Sequence, residues 1–195
     1  MVAMQITEFG IKDVYCDIGW IIVMRRYNST MDFHRNWAEY KNGFGDPRDQ
    51  FWMGNEALHA LTNQGNYSMQ IDMLSCNGNS YYVRWDLFRI ENETQKYAVE
   101  AISVESHNVS SDTKLMELYG REFGTYDVPI ANCSQDRGGG WWWGSCGHDH
   151  ITAFYPECNM TSNQRQRMKF SPITGRNCDR GCLLQAATMK IRRNV

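Results

Sequence analysis

Three stretches of this 195-residue sequence hold residue types that could do chemistry. Gly144-Ser145-Cys146-Gly147, followed by His148 and His150, sets a thiol near two imidazoles, the pairing that makes a thiolate nucleophile. A papain-like enzyme needs a longer local signature and a remote histidine, and neither is visible. Cys146, His148, His150 and Cys158, or Cys178 with Cys182, also offer the soft ligands that zinc prefers. Their spacings match no tight finger pattern, so disulfides plus surface histidines are the better reading. Phosphate-loop, HExxH and GxSxG motifs are absent, and Gly138-Gly139-Gly140 lacks the lysine that a phosphate loop requires. Nothing here indicates an enzyme. The third stretch is Trp141-Trp142-Trp143. Successive side chains on an extended backbone face opposite ways. One or two of these rings therefore belong in the core, and at least one is expected to line a surface or pocket.

Cysteine and asparagine usage set the compartment. Seven cysteines, at 16, 76, 133, 146, 158, 178 and 182, point to an oxidising environment, and the odd count leaves at least one thiol over. Asn-x-Ser/Thr occurs at Asn28, Asn66, Asn92, Asn108, Asn132 and Asn159, six sequons where this composition gives about 1.7 by chance. Secretion with N-glycosylation is the expectation. The segment MVAMQITEFG has no basic region, apolar stretch or small-residue cleavage site, so the chain reads as a mature or N-terminally shortened product. A net charge of −2 argues against a nucleic-acid partner bound by bulk electrostatics. No apolar run approaches the roughly 18 residues that span a bilayer. With 42% hydrophobic residues and 7 Trp, 10 Tyr and 8 Phe, a large aromatic core is available.

Periodicity indicates which elements hold these residues. Val14-Tyr15-Cys16 and Trp20 to Met24 read as strands. Phe33, Trp37 and Tyr40 fall on one helix face, with Asp32 as the expected cap and Asn42-Gly43 as the stop. A short helix is expected after Asn55, with Leu58 and Leu61 inward. Met69, Ile71 and Met73 alternate with polar residues up to the turn Cys76-Asn77-Gly78-Asn79. Tyr81, Val83, Trp85 and Leu87 form the returning strand, and Tyr97 to Val104 another. Past Asp112 the pattern dissolves into loops until a strand from Ala187 to Arg192. The fold class is α+β, an antiparallel body followed by an irregular cysteine-rich region, where binding usually sits.

Taken together the segments carry a resemblance. It runs through Val14-Tyr15-Cys16-Asp17, Gly19-Trp20, Arg25-Arg26, Asp32-Phe33, Trp37, Tyr40-Lys41 and Gly43-Phe44-Gly45. Its most specific stretch is Phe51-Trp52-Met53-Gly54-Asn55-Glu56 with His59 and Leu61-Thr62. Met69 to Asp72, Asn77-Gly78-Asn79, Phe88, Lys96-Tyr97, Asn132-Cys133, Gly139-Gly140-Trp141-Trp142, Cys146 and Thr188-Met189-Lys190-Ile191 continue it in register. The chain resembles the fibrinogen C-terminal domain of fibrinogen chains, ficolins, tachylectins, tenascins and angiopoietins.

The resemblance implies a single domain over 1–195, with a central sheet at about 20–110 plus a final strand at 187–192, and a loop-rich binding lobe at about 112–186. It implies a non-enzymatic, secreted recognition domain. The main expectation is a lectin-like, innate-immune module that binds glycan or protein ligands. The alternative is a receptor ligand or matrix module without a small-molecule pocket, as angiopoietins contact receptors through this lobe. Ligand contacts are expected from Asp136, Arg137, Trp142, Trp143, Cys146, His148, His150 and Tyr155. A Cys133–Cys146 disulfide is implied, and Cys16 is expected unpaired or joined to Cys76, because the family places its partner upstream. Cys158, Cys178 and Cys182 look like additions. A stem that makes the domain an oligomer often precedes it in the family. The family also has a calcium loop rich in Asp and Asn, whereas Val128-Pro129-Ile130-Ala131 here carries no carboxylate, so no metal or other cofactor is expected.

Overall fold

The structure is a computed structural model, and it describes residues 2–6, 10–110, 115–130, 133–143, 150–159, 167–173 and 182–194. In chain order the elements are β1 (Val2–Ile6), β2 (Gly10–Asp17), β3 (Trp20–Arg26), α1 (Trp37–Asn42), β4 (Phe44–Gly45), β5 (Phe51–Trp52) and α2 (Asn55–Asn63). Then follow β6 (Tyr67–Ser75), β7 (Ser80–Ile90), a 3-10 turn at Glu93–Gln95, β8 (Val99–His107), β9 (Phe123–Gly124), α3 (Cys133–Arg137), β10 (Trp141–Trp142), β11 (Lys169–Phe170) and β12 (Cys182–Arg193). The α+β expectation holds. Among the described residues the main sheet is antiparallel in the order β1-β2-β3-β12-β6-β7-β8, with β11 beside β12 and the β4–β5 pair joined to β3. The last strand therefore lies between β3 and β6, with Met189 opposite both Met24 and Ile71.

The alternation at 69–73 performs as read. Met69, Ile71 and Met73 are buried, and the neighbouring Gln70 and Asp72 are not. Ala57, Leu58 and Leu61 of α2 complete the same core. The opposite side of β3 holds a ring that alternation alone would leave in water. Trp20 is covered there by Arg84, Arg192 and Lys190, whose cationic groups stand 4.8–5.4 Å from its centroid.

Local details depart from the periodic reading in four places. Helix α1 is capped by Asn36, not Asp32; its side chain accepts from the Glu39 N–H while Glu39 returns a bond to the Asn36 N–H. Phe33 precedes the helix and is buried by loop packing. Register shifts in β7 around Trp85 turn Leu87 half outward and bury Phe88 instead, because each bulge inverts the alternation that follows it. The strand expected from Tyr97 starts at Val99, since Lys96 and Tyr97 take left-handed backbone angles. The final strand is longer than expected, running from Cys182 to Arg193.

The cysteines resolve in part. Cys76, in the β6–β7 turn, is bonded to Cys158, and Cys16 is unpaired and exposed. Cys133 and Cys182 are each disulfide-bonded to partners outside the described residues. Cys146 lies outside them too, so the Cys133–Cys146 expectation meets the structure only at its Cys133 end.

Candidate functional site

The lobe is organised by β9 and β10, where Trp141 pairs with Gly124 and Trp142 with Phe123. All three tryptophans are buried, 1–2% exposed. The Trp142 indole N–H donates to the Tyr97 carbonyl at 2.8 Å and that of Trp143 to the Gly124 carbonyl at 3.0 Å. The Trp142 ring meets Phe123 and Phe88 edge-on, at 5.2 and 5.9 Å. Trp141 and Trp142 lie ring to ring at 5.1 Å, Trp142 packs on Phe88 and Phe123, and Trp143 lies against His150, so the rings are enclosed by protein. Trp142 and Trp143 are therefore core residues and not the expected ligand walls.

His150 is corrected in the same way. It is fully buried, its backbone bridges to Lys169, and its ring lies 5.3 Å from Trp143. Tyr155 is half-buried. Its hydroxyl stands 2.7 Å from the Gln185 carbonyl and 3.1 Å from that of Tyr27, and burial raises its pKa above the ordinary phenol value. Asp136 and Arg137 belong to α3, but their side chains fall outside the described residues, as do Cys146 and His148.

Beneath Tyr155 sits Arg26, a cation with almost no exposure. Its guanidinium donates to the Ala153 carbonyl and lies over Phe33 at 4.6 Å and Tyr155 at 5.6 Å. Burial lowers its pKa to about 10, so it stays charged at neutral pH. This cation joins β3 to the lobe through the Tyr155 ring face and the Ala153 carbonyl.

The surface over Arg26 carries rings that periodicity did not single out. His34 stacks on Tyr126, centroids 4.7 Å apart, and lies 5.5 Å from Phe154. Tyr155 follows Phe154 in the chain, and its hydroxyl reaches the backbone carbonyl of Tyr27, whose own hydroxyl donates to Asp49. The adjoining rings Phe154, His34 and Tyr126 and the neighbouring Tyr155 and Tyr27 form one aromatic strip, with Tyr27 at 45% and Tyr126 at 38% exposed at its ends. Three separate segments build it, so no local pattern signals it.

The neighbouring Asp127 carboxylate is already engaged. The Trp37 backbone N–H points at both of its oxygens, 2.9 and 3.2 Å away, and the Thr125 hydroxyl donates to it at 2.7 Å. It thus holds the 125–128 turn against the start of α1, satisfying a donor that the helix cannot.

The model of the family described as fibrinogen beta and gamma chains, C-terminal globular domain, matches residues 3–193. The chain belongs to this family. This fibrinogen C-terminal domain is 30% identical to canine angiopoietin-1 over 190 residues, which is 93% of this chain and 37% of that protein. Human angiopoietin-2 is 32% identical over 185 residues, covering 91% of this chain and 36% of its own. The chain thus spans little more than a third of the curated relatives it matches. The fibrinogen-like globe domain of human ANGPTL2 shares the fold at TM-score 0.88 and 26% identity, over all of this chain and 92% of that one. A lamprey fibrin D-dimer complexed with the peptide Gly-His-Arg-Pro-amide shares it at TM-score 0.73 and 23% identity, covering 91% and 63%. The angiopoietin-type relatives fit the expected alternative better than the lectin reading.

Calcium takes six to eight oxygens, mostly carboxylate and carbonyl. From Phe123 to Ile130 this fibrinogen C-terminal domain offers one carboxylate, Asp127, and that group is committed to Trp37 and Thr125. Over these described residues the donor set falls short of what the ion takes. Among the described residues no group of three or more His, Cys, Asp or Glu could hold a metal.

Proposed function

We propose that this domain is a secreted, non-catalytic module that binds an extracellular protein through the aromatic strip ending at Tyr27 and Tyr126. One observation carries the reading. The tryptophans that could have walled a small-molecule pocket are buried with Trp142 and Trp143 N–H groups on backbone carbonyls, while tyrosine rings lie open on the surface above. Exposed tyrosines on a rigid frame suit protein contacts, where they add area at low entropic cost. The angiopoietin relatives support the same choice. No helix among the described residues is long and apolar enough to cross a membrane.

The test is a clustered form of the domain applied to arrays of extracellular proteins and of glycans, since clustering raises weak affinities. A protein target is expected, with Tyr126→Ala weakening binding about tenfold, roughly 1.4 kcal/mol. A specific glycan hit with no protein target would overturn the reading.

We also propose that neither folding nor binding needs calcium, because Asp127 serves as a structural tether. Melting curves with excess calcium and with chelator are expected to coincide. A rise of several degrees with calcium but not magnesium would refute this, since a bound ion stabilises the native state by mass action. Asp127→Ala should cost about 1 kcal/mol whether or not the ion is present.

A further inference from the structure

We propose that Asn28 is an N-glycan attachment site held ready by the fold, with Asn92 a second of the same local design. In Asn28-Ser29-Thr30 the asparagine Oδ1 accepts from the Thr30 N–H at 2.9 Å, the Thr30 hydroxyl at 2.6 Å and Gln50 Nε2 at 2.6 Å. Gln50 is fully buried, and its Oε1 accepts from the Tyr27 and Asn28 backbone N–H groups at 3.0 and 3.2 Å. Its Nε2 also donates to the Thr30 hydroxyl oxygen at 3.0 Å. One buried carboxamide thus holds the whole sequon in a single turn. The Asn28 oxygen is saturated, whereas its Nδ2 has no hydrogen-bond partner among the described residues and is not buried.

Asn92 repeats the arrangement. Its Oδ1 accepts from the Thr94 N–H at 3.0 Å and the Thr94 hydroxyl at 2.6 Å, and its Nδ2 is likewise unengaged on an exposed residue. The i to i+2 bonds at Asn28 and Asn92 are local, so they can form while the chain is still being made, whereas the Gln50 bonds come only with the fold. Asn108 differs. Its Oδ1 accepts from the Tyr82 N–H at 2.7 Å, and its Nδ2 donates to the Ser80 carbonyl at 3.3 Å, so both ends of that amide serve the sheet.

The difference matters because Nδ2 is the atom that reacts. The donor is a lipid-pyrophosphate-linked oligosaccharide. Nδ2 forms the bond to the anomeric carbon and gives up one proton. The anomeric C–O bond breaks, and the lipid pyrophosphate leaves with its electron pair. At Asn28 and Asn92 the product displaces no protein hydrogen bond, and at Asn108 it competes with one. Because Asn28 follows Tyr27, its sugar flanks that end of the aromatic strip. The compartment rests on the secreted reading, so the experiment supplies a leader and reads the sugar directly, independently of any partner.

The chain is secreted from mammalian cells behind a heterologous leader and treated with an amidase that removes N-glycans in heavy-oxygen water. Peptide mass spectrometry then scores each sequon. Asn28 and Asn92 are expected to be occupied in most copies, and Asn108 in a minority. Thr30→Ser, which keeps the hydroxyl, should retain the Asn28 sugar, and Thr30→Ala should remove it. Asn28 vacant in most wild-type copies, or Asn108 occupied as fully as Asn28 and Asn92, overturns the proposal. Wild-type occupancy decides even where a variant fails to fold.

Discussion

Gly139→Ala is expected to destabilise the domain by more than about 4 kcal/mol, the range where a single substitution removes much of a typical domain's stability. Gly139 has φ near +79°, and a Cβ there would stand 2.1 Å from the Thr152 carbonyl oxygen and 2.7 Å from its carbon. The obstacle is backbone, so no rotamer change relieves it. Thr152 is itself fixed by the bond from its hydroxyl to the Gly140 carbonyl at 2.6 Å. The control is Gly120→Ala, at φ near +69° with nothing within 4 Å, which should lose only about 1–2 kcal/mol for the left-handed backbone. Urea titration of both variants separates close packing from backbone strain. Equal losses would show that the 139–152 approach is looser than the structure has it.

The Cys76–Cys158 bond carries the second large effect. The two residues are 82 apart in sequence with Cα atoms at 5.2 Å, and the bond ties the β6–β7 turn to the lobe. Under the chain-entropy account, closing a loop this long stabilises the native state by roughly 4 kcal/mol. The double variant Cys76→Ser, Cys158→Ser should lower the denaturation midpoint accordingly. Hydrogen exchange should rise first in the Cys76–Asn79 turn and around residues 155–158. An unchanged midpoint in the oxidised protein would mean that the bridge is not part of the native state.

What the sequence disclosed follows the range of the forces involved. The Met69–Ile71–Met73 alternation, the Leu58 and Leu61 face and the Gly43 stop are set by neighbours within one or two turns, so period and residue type revealed them. The β7 bulges could not be read that way, because Leu87 and Phe88 exchange roles through pairing with β8. Asn36 displaced Asp32 as cap because its partner Glu39 completes a reciprocal bond. The tryptophan run was visible as chemistry but not as placement. Whether an indole faces solvent depends on what packs against it, and here that is Phe88 and Phe123 for Trp142 and His150 for Trp143. His34, Tyr126 and Phe154 gave no signal at all, being ordinary residues until the fold stacks them.

The position of β12 has a consequence for how the protein is made. Translation delivers β3 and β6 early, yet they do not pair with each other; each waits for the strand that fits between them. Until residues 182–193 have left the ribosome, both strands present a bare edge, and the sheet exists only as two separate halves. Pairing across nearly the whole chain is slow to nucleate, and open edges invite other chains in the meantime. Nascent chains stalled before Cys182 should therefore depend on chaperones for as long as they wait, whereas emergence of residues 182–193 lets the sheet close in one step.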